Sequence, residues 1–166
     1  NEAGMDASGL EYSKESVQSS QSSNYKMIQG YIDDLDPKFD GKFDAFISLN
    51  YIEHQPDTKS FIKSLLRITR PGAVGYITAP NVSYLLETNT LYEFVADHLI
   101  YFTEETMRRA FESNGFDVIE SSIINNKNDI SVTVKKRELQ DIPGIGDVER
   151  LSHKLKDFMV KNYLDG

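Results

Sequence analysis

Short apolar runs alternate along this chain with segments whose apolar residues recur at helical spacing, the pattern of an α/β domain. Asp6 to Glu11 reads as a strand ending on an acid. Ser13 then stands where a hydroxyl can cap a helix over about Lys14 to Ser22. Tyr25 to Gln29 reads as a second short strand, and Asp33 to Lys42, with its Asp, Pro and Gly, predicts a turn-rich connection. Phe43 to Leu49 is the clearest buried strand, nearly continuous in apolar residues as central parallel strands are. Asp57 to Thr69 predicts a helix with Phe61, Ile62, Leu65, Leu66 and Ile68 on one broad face, stopped at Arg70-Pro71-Gly72. Val74 to Thr78 is the next strand, ended by Pro80.

Further on, Thr103 caps a helix whose first turn holds Glu104 and Glu105, favourable at the positive end of the helix dipole. Met107, Ala110 and Phe111 form its apolar stripe, and Asn114-Gly115 stops it. Phe116 to Ile124 and Asp129 to Lys136 read as two adjacent strands. Val148 to Tyr163 predicts a final helix with Val148, Leu151, Leu155, Phe158 and Met159 on one face. The expected organisation is a core over residues 1–137 and a helical extension over 138–166, with no internal repeat.

Composition narrows the function classes. At 166 residues, 39% apolar, with nine Phe and nine Tyr, the chain is long enough for one domain with a real core. Its 18 Lys and Arg against 26 Asp and Glu leave a net charge of −8, so no general attraction to nucleic acid or anionic membrane is expected. There is no cysteine, which excludes disulfides, cysteine-ligated metals and a thiol nucleophile and suits a cytoplasmic setting. No signal peptide is visible at Asn1-Glu2-Ala3-Gly4, and no apolar run approaches the ~20 residues that span a bilayer. Asn81-Val82-Ser83 fits the glycosylation sequon, which short sequences match by chance.

The informative stretch runs from Phe43-Asp44-Ala45-Phe46-Ile47-Ser48 through Ile52-Glu53-His54 and a helix. It continues to Ile68-Thr69-Arg70-Pro71-Gly72 and ends at Tyr76-Ile77-Thr78-Ala79-Pro80-Asn81. This ordered set resembles the class I S-adenosylmethionine-dependent methyltransferases, in which a strand opening on Phe-Asp is followed by Glu-His, a helix, Pro-Gly and a strand ending in Pro-Asn. Gly9-Leu10-Glu11-Tyr12-Ser13 is similar to the family's second strand, and Asp97 to Thr103 with Asn114-Gly115-Phe116 resembles its substrate-side segment and the strand after it. The resemblance covers roughly Ala3 to Lys136. It implies a Rossmann-like methyltransferase fold, with a mixed, mostly parallel sheet flanked by helices, that uses S-adenosylmethionine and acts on a small molecule.

One part of the family pattern is not found. The family's first strand and its glycine-rich cofactor turn have no counterpart, and the one Gly-x-Gly, Gly144-Ile145-Gly146, reads as a loop. The fold is therefore expected to be N-terminally truncated, with exposed strand edges available for self-association. Two rival readings stand beside the enzyme: a non-catalytic scaffold that keeps the fold, and an NAD-type Rossmann domain, which lacks its fingerprint here.

The resemblance also places candidate site residues. Glu11 is the ribose ligand, because a strand-end carboxylate offers only acceptors and can take two hydroxyls. Tyr12 is an adenine-packing candidate, and Tyr31, Ile32 and Asp33 follow the strand whose end meets the adenine edge. Asn50 and Tyr51 leave the Phe43 strand at the crevice where open α/β sheets bind ligands, and His54 belongs to the Glu-His pair. Asp97-His98-x-x-Tyr101 resembles the substrate-side segment of a subgroup that methylates carbon on nucleotide-linked sugars, making His98 a general-base candidate with Asp97 beside it. Substrate positioning and a structural role remain open for His98. No metal is expected to be required.

Overall fold

Local capping chemistry sets where the helices begin. Ser13 accepts the Ser16 amide at 3.2 Å and opens α1 (Lys14–Ser22), which follows β1 (Gly9–Glu11) and precedes β2 (Met27–Gln29). Asp57 accepts the Ser60 amide at 3.0 Å and opens α2 (Thr58–Ile68), which lies between β3 (Phe43–Leu49) and β4 (Thr69–Pro80). After α3 (Val82–Glu87), Thr103 and Thr106 bond reciprocally in a capping box that starts α4 (Glu104–Glu112). Strands β5 (Phe116–Ile124) and β6 (Asp129–Lys136) complete the order. The computed structural model describes residues 6–23, 25–90 and 92–138. The chain divides into two compact units, Asn1–Lys136 and Arg137–Gly166. The expected final helix, His153 on it and the Gly144-Ile145-Gly146 loop lie outside the described residues.

The strands form two sheets. β1 and β2 pair in parallel, Gly9 opposite Met27 and Glu11 opposite Gln29. The second sheet has the order β3-β4-β6-β5, with β3 and β4 parallel and the β4–β6 and β6–β5 pairs antiparallel. The expected Rossmann-like α/β fold with a mixed sheet is therefore present. Its core takes Phe61, Ile62 and Leu65 from α2 and Met107 and Phe111 from α4 against Ile77, Phe116 and the Ile130, Val132, Val134 alternation of β6. Each such side chain contributes roughly 1.5–3 kcal/mol by leaving water.

Three sequence expectations need correction. β3 is not buried: it pairs on one side only, with β4, so Ile47 and Leu49 are 72% and 60% exposed. Burial of an apolar strand depends on what lies beside it, and β1 is not hydrogen-bonded to β3. Arg70-Pro71-Gly72 ends α2 without delaying the next strand. Thr69 already faces Phe43, and the register then jumps so that Ala45 faces Val74, leaving Arg70 to Ala73 as a bulge with Gly72 at φ 76°. β1 and β2 begin three and two residues later than Asp6 and Tyr25. The helix α3, which buries Leu85, was not expected.

Candidate functional site

A cleft of about 420 Å³ separates the β1–β2 pair from β3. Glu11, Tyr12 and Ile32 line one side, and Phe43, Ile47 and Tyr51 line the other. Glu11 is the last residue of β1, so the chain turns there and its carboxylate stands at the strand's C-terminal end. Its Oε1 accepts the Ser13 amide at 2.8 Å, which fixes the carboxylate and leaves Oε2 as an acceptor for a ligand hydroxyl. The Tyr12 and Tyr31 rings stack with centroids 5.3 Å apart and an interplanar angle of 8°, and both are more than half exposed. A flat, wet aromatic pair beside a strand-end carboxylate suits a base and ribose.

The remaining candidates on this side divide. Ile32 is buried in the core and also lines the cleft. Asp33 is not in the lining; its Oδ1 accepts the Ser64 hydroxyl of α2 at 2.6 Å. Asn50 adopts φ 44°, a conformation Asn tolerates better than most residues. Its amide donates to the Thr78 carbonyl at 3.1 Å and its Oδ1 accepts the Thr78 hydroxyl at 2.6 Å, so its side chain ties β3 to β4. Tyr51 lines the cleft with its ring 5.9 Å from Phe61.

His54, Asp97 and His98 meet elsewhere, around the single 3-10 turn Ile52–His54 that follows β3. The Glu53 carbonyl accepts the Leu99 and Ile100 amides at 2.8 and 3.2 Å, which holds the 97–100 segment over that turn. His54 Nδ1 lies 2.8 Å from the Asp97 carbonyl oxygen. A carbonyl can only accept, so Nδ1 carries the proton and Nε2 of the neutral ring keeps its lone pair. The exposed Asp97 carboxylate is 3.7 Å from the same nitrogen, and among the described residues no ion pair joins it to His98. The His98 ring meets His54 edge to face at 4.9 Å and Tyr101 at 6.1 Å.

Sequence reasoning used Glu53 as a landmark and not as a site residue. It is 2% exposed, and burial raises its carboxyl pKa above the usual 4.5, opposed by its backbone amide and by His54 and His98. Its Oε2 and the Nδ1 of His98 are buried without a hydrogen-bond partner. An acid beside a histidine in an apolar setting, Ile52-Glu53-His54, was the available signal.

With this geometry in place, comparison with known proteins is informative. The family model described as a methyltransferase domain matches residues 1–121. A Pyrococcus horikoshii protein is 15% identical, with TM-score 0.67, over 82% of this chain and 74% of its own. Magnesium protoporphyrin IX methyltransferase from Synechocystis, solved with S-adenosylhomocysteine, is 15% identical, with TM-score 0.62, over 81% and 66%. The Burkholderia thailandensis 1,6-didemethyltoxoflavin-N1-methyltransferase, holding 1,6-didemethyltoxoflavin and S-adenosylhomocysteine, is 12% identical, with TM-score 0.64, over 82% and 64%. At these identities the structures establish a shared fold, and the family match covers most of the sequence. The chain belongs to the methyltransferase-domain family, the class I enzymes whose methyl donor is S-adenosylmethionine.

Proposed function

We propose that this domain transfers a methyl group from S-adenosylmethionine to a small-molecule acceptor. The observation that carries the reading is Glu11: a strand-end carboxylate on the wall of the cleft, with one oxygen held by Ser13 and the Tyr12–Tyr31 stack beside it. In this reading Glu11 takes ribose hydroxyls and the tyrosine pair and Ile32 bound the adenine. Tyr51 closes the side toward the acceptor. Asp33 and Asn50 act indirectly, by fixing α2 and the end of β3.

The reaction is an in-line displacement. An acceptor atom attacks the methyl carbon, the carbon–sulfur bond breaks with its electron pair returning to sulfur, and the acceptor loses a proton. Most of the acceleration comes from alignment of the two reactants. His98 is the proposed proton acceptor, and Asp97 holds His54 against it. Small acceptors are supported by the toxoflavin and protoporphyrin relatives, and a nucleotide-linked sugar by the Asp97-His98-x-x-Tyr101 segment. A cysteine-free chain is suited to the cytoplasm, where we place it.

Calorimetric titration with S-adenosylhomocysteine tests the cofactor assignment. Glu11→Ala should weaken binding roughly 5- to 150-fold, the effect of about 1–3 kcal/mol from losing a charged acceptor. Unchanged affinity removes Glu11 from the site.

A further inference from the structure

Glu53, His54 and His98 each offer one ligand atom, and these atoms lie within 4.8 Å of one another. From this geometry we propose that the three side chains form a binding site for a first-row divalent transition-metal ion, a function separate from the cofactor cleft. The inference rests on the cluster alone and does not depend on the methyl-transfer reading.

Four observations converge. Glu53 Oε1 lies 4.0 Å from His54 Nε2, the nitrogen that the Asp97 carbonyl leaves with a free lone pair. Metal-binding histidines generally have their other ring nitrogen hydrogen-bonded to a carbonyl or carboxylate, and His54 has the Asp97 carbonyl at 2.8 Å with the Asp97 carboxylate nearby. Glu53 is almost wholly buried with Oε2 unpartnered, and a buried carboxylate oxygen without a donor calls for a positive charge. His98 Nδ1 is likewise buried and unpartnered.

The donor set selects the ion. Two imidazole nitrogens and one carboxylate oxygen suit zinc, iron, cobalt or manganese, whereas magnesium and calcium prefer oxygen. Bond lengths of about 2.0–2.2 Å place neighbouring ligand atoms roughly 3–3.5 Å apart, so the ligand atoms must close by about 1 Å or so. The His98 and His54 rings already meet edge to face and both are only partly buried, so their own torsions supply that movement toward the buried Glu53. Three protein ligands leave at least one coordination position open. A cation here occupies lone pairs that proton transfer would use, so at any instant His98 serves one role or the other.

Cobalt(II) and zinc(II) added to the full chain are the probes. Cobalt should bind one per chain with visible d–d absorption, and zinc should displace it. Glu53→Gln and His98→Gln should each weaken binding at least 10-fold, while His153→Gln, removing the third histidine of the chain, should leave it within twofold. If the site variants fail to fold, wild-type histidine side-chain NMR decides: zinc should shift two imidazoles and leave the third. The proposal is overturned if the wild type gives no cobalt spectrum at millimolar metal. It is equally overturned if binding persists in both site variants, is lost with His153→Gln, or shifts fewer than two imidazoles.

Discussion

Replacing Gly75 with alanine tests how β4 packs on β3, a strand that lines the cleft. Gly75 of β4 lies opposite Phe46 of β3, and the aromatic ring covers the glycine. A Cβ at position 75 would stand 2.1, 2.4 and 2.6 Å from three atoms at the tip of that ring, more than an ångström inside normal contact. The ring is also hemmed by Phe116, which it meets edge to face at 5.8 Å and which is fully buried against Phe111. Forced overpacking of this kind costs about 1–3 kcal/mol. For a chain of this size the melting temperature should fall by roughly 3–10 °C. The decisive assay is a double-mutant cycle in urea. Phe46→Ala is destabilising alone, but it removes the obstacle, so Gly75→Ala added to it should cost almost nothing. Strictly additive effects, or a Gly75→Ala protein as stable as the wild type, refute the packing argument.

Three further outcomes are expected. The Asp57 carboxyl titrates below its usual 3.8, first because it accepts the Ser60 amide and then the Ser60 hydroxyl. Its stabilising contribution is therefore full above about pH 3.8 and lost as pH falls through the lower folded value. Asp57→Asn keeps a cap that cannot protonate, so melting curves of the two proteins should converge on acidification; parallel curves count against it. Ile47→Lys places a charge on the exposed β3 edge and should shift sedimentation toward monomer, unless that edge takes no part in self-association. In a methyl-transfer assay His98→Gln should lower turnover about 100-fold with S-adenosylhomocysteine affinity within twofold, whereas a purely structural role predicts joint loss of cofactor affinity and thermal stability.

What the sequence made legible was local. Ser13, Asp57 and Thr103 cap helices through hydroxyls and a carboxylate acting within three residues; the helices after Ser13 and Thr103 start where those caps predict, and α2 starts at Thr58, one residue later than expected, because Asp57 is its cap. The Ile130, Val132, Val134 alternation is equally self-contained, because one buried face requires period two. Ile47 and Leu49 misled because apolar character records what a strand can tolerate, whereas exposure records which strands stand next to it. Glu53 stands in the sequence only as a landmark for a related reason: three-dimensional packing alone distinguishes a buried carboxylate from a solvated one. Asp97 stands beside His98 in the sequence, yet its carbonyl is hydrogen-bonded to His54, 43 residues earlier in the chain. Among the cofactor candidates, Glu11 and Tyr12 gather at one cleft because they close one strand, while Asp33 and Asn50 are drawn to Ser64 and Thr78.

The end of α2 has a consequence for the order in which the domain matures. Carbonyls at this helix end are held from three sources: Gly41 and Lys42 donate to Arg67 and Ile68, the Thr69 hydroxyl donates to Leu65 and Leu66 at 2.7 and 3.2 Å, and the Lys136 ammonium donates to Leu66 and to the capping Thr69 at 2.7 Å each. The first pair of donors leaves the ribosome before the helix does, whereas Lys136 follows Leu66 by 70 residues. A nascent chain therefore carries α2 without the Lys136 donor at its end until β6 has been made and seated. Amides of that turn should exchange with solvent faster while synthesis is under way than after the last strand docks.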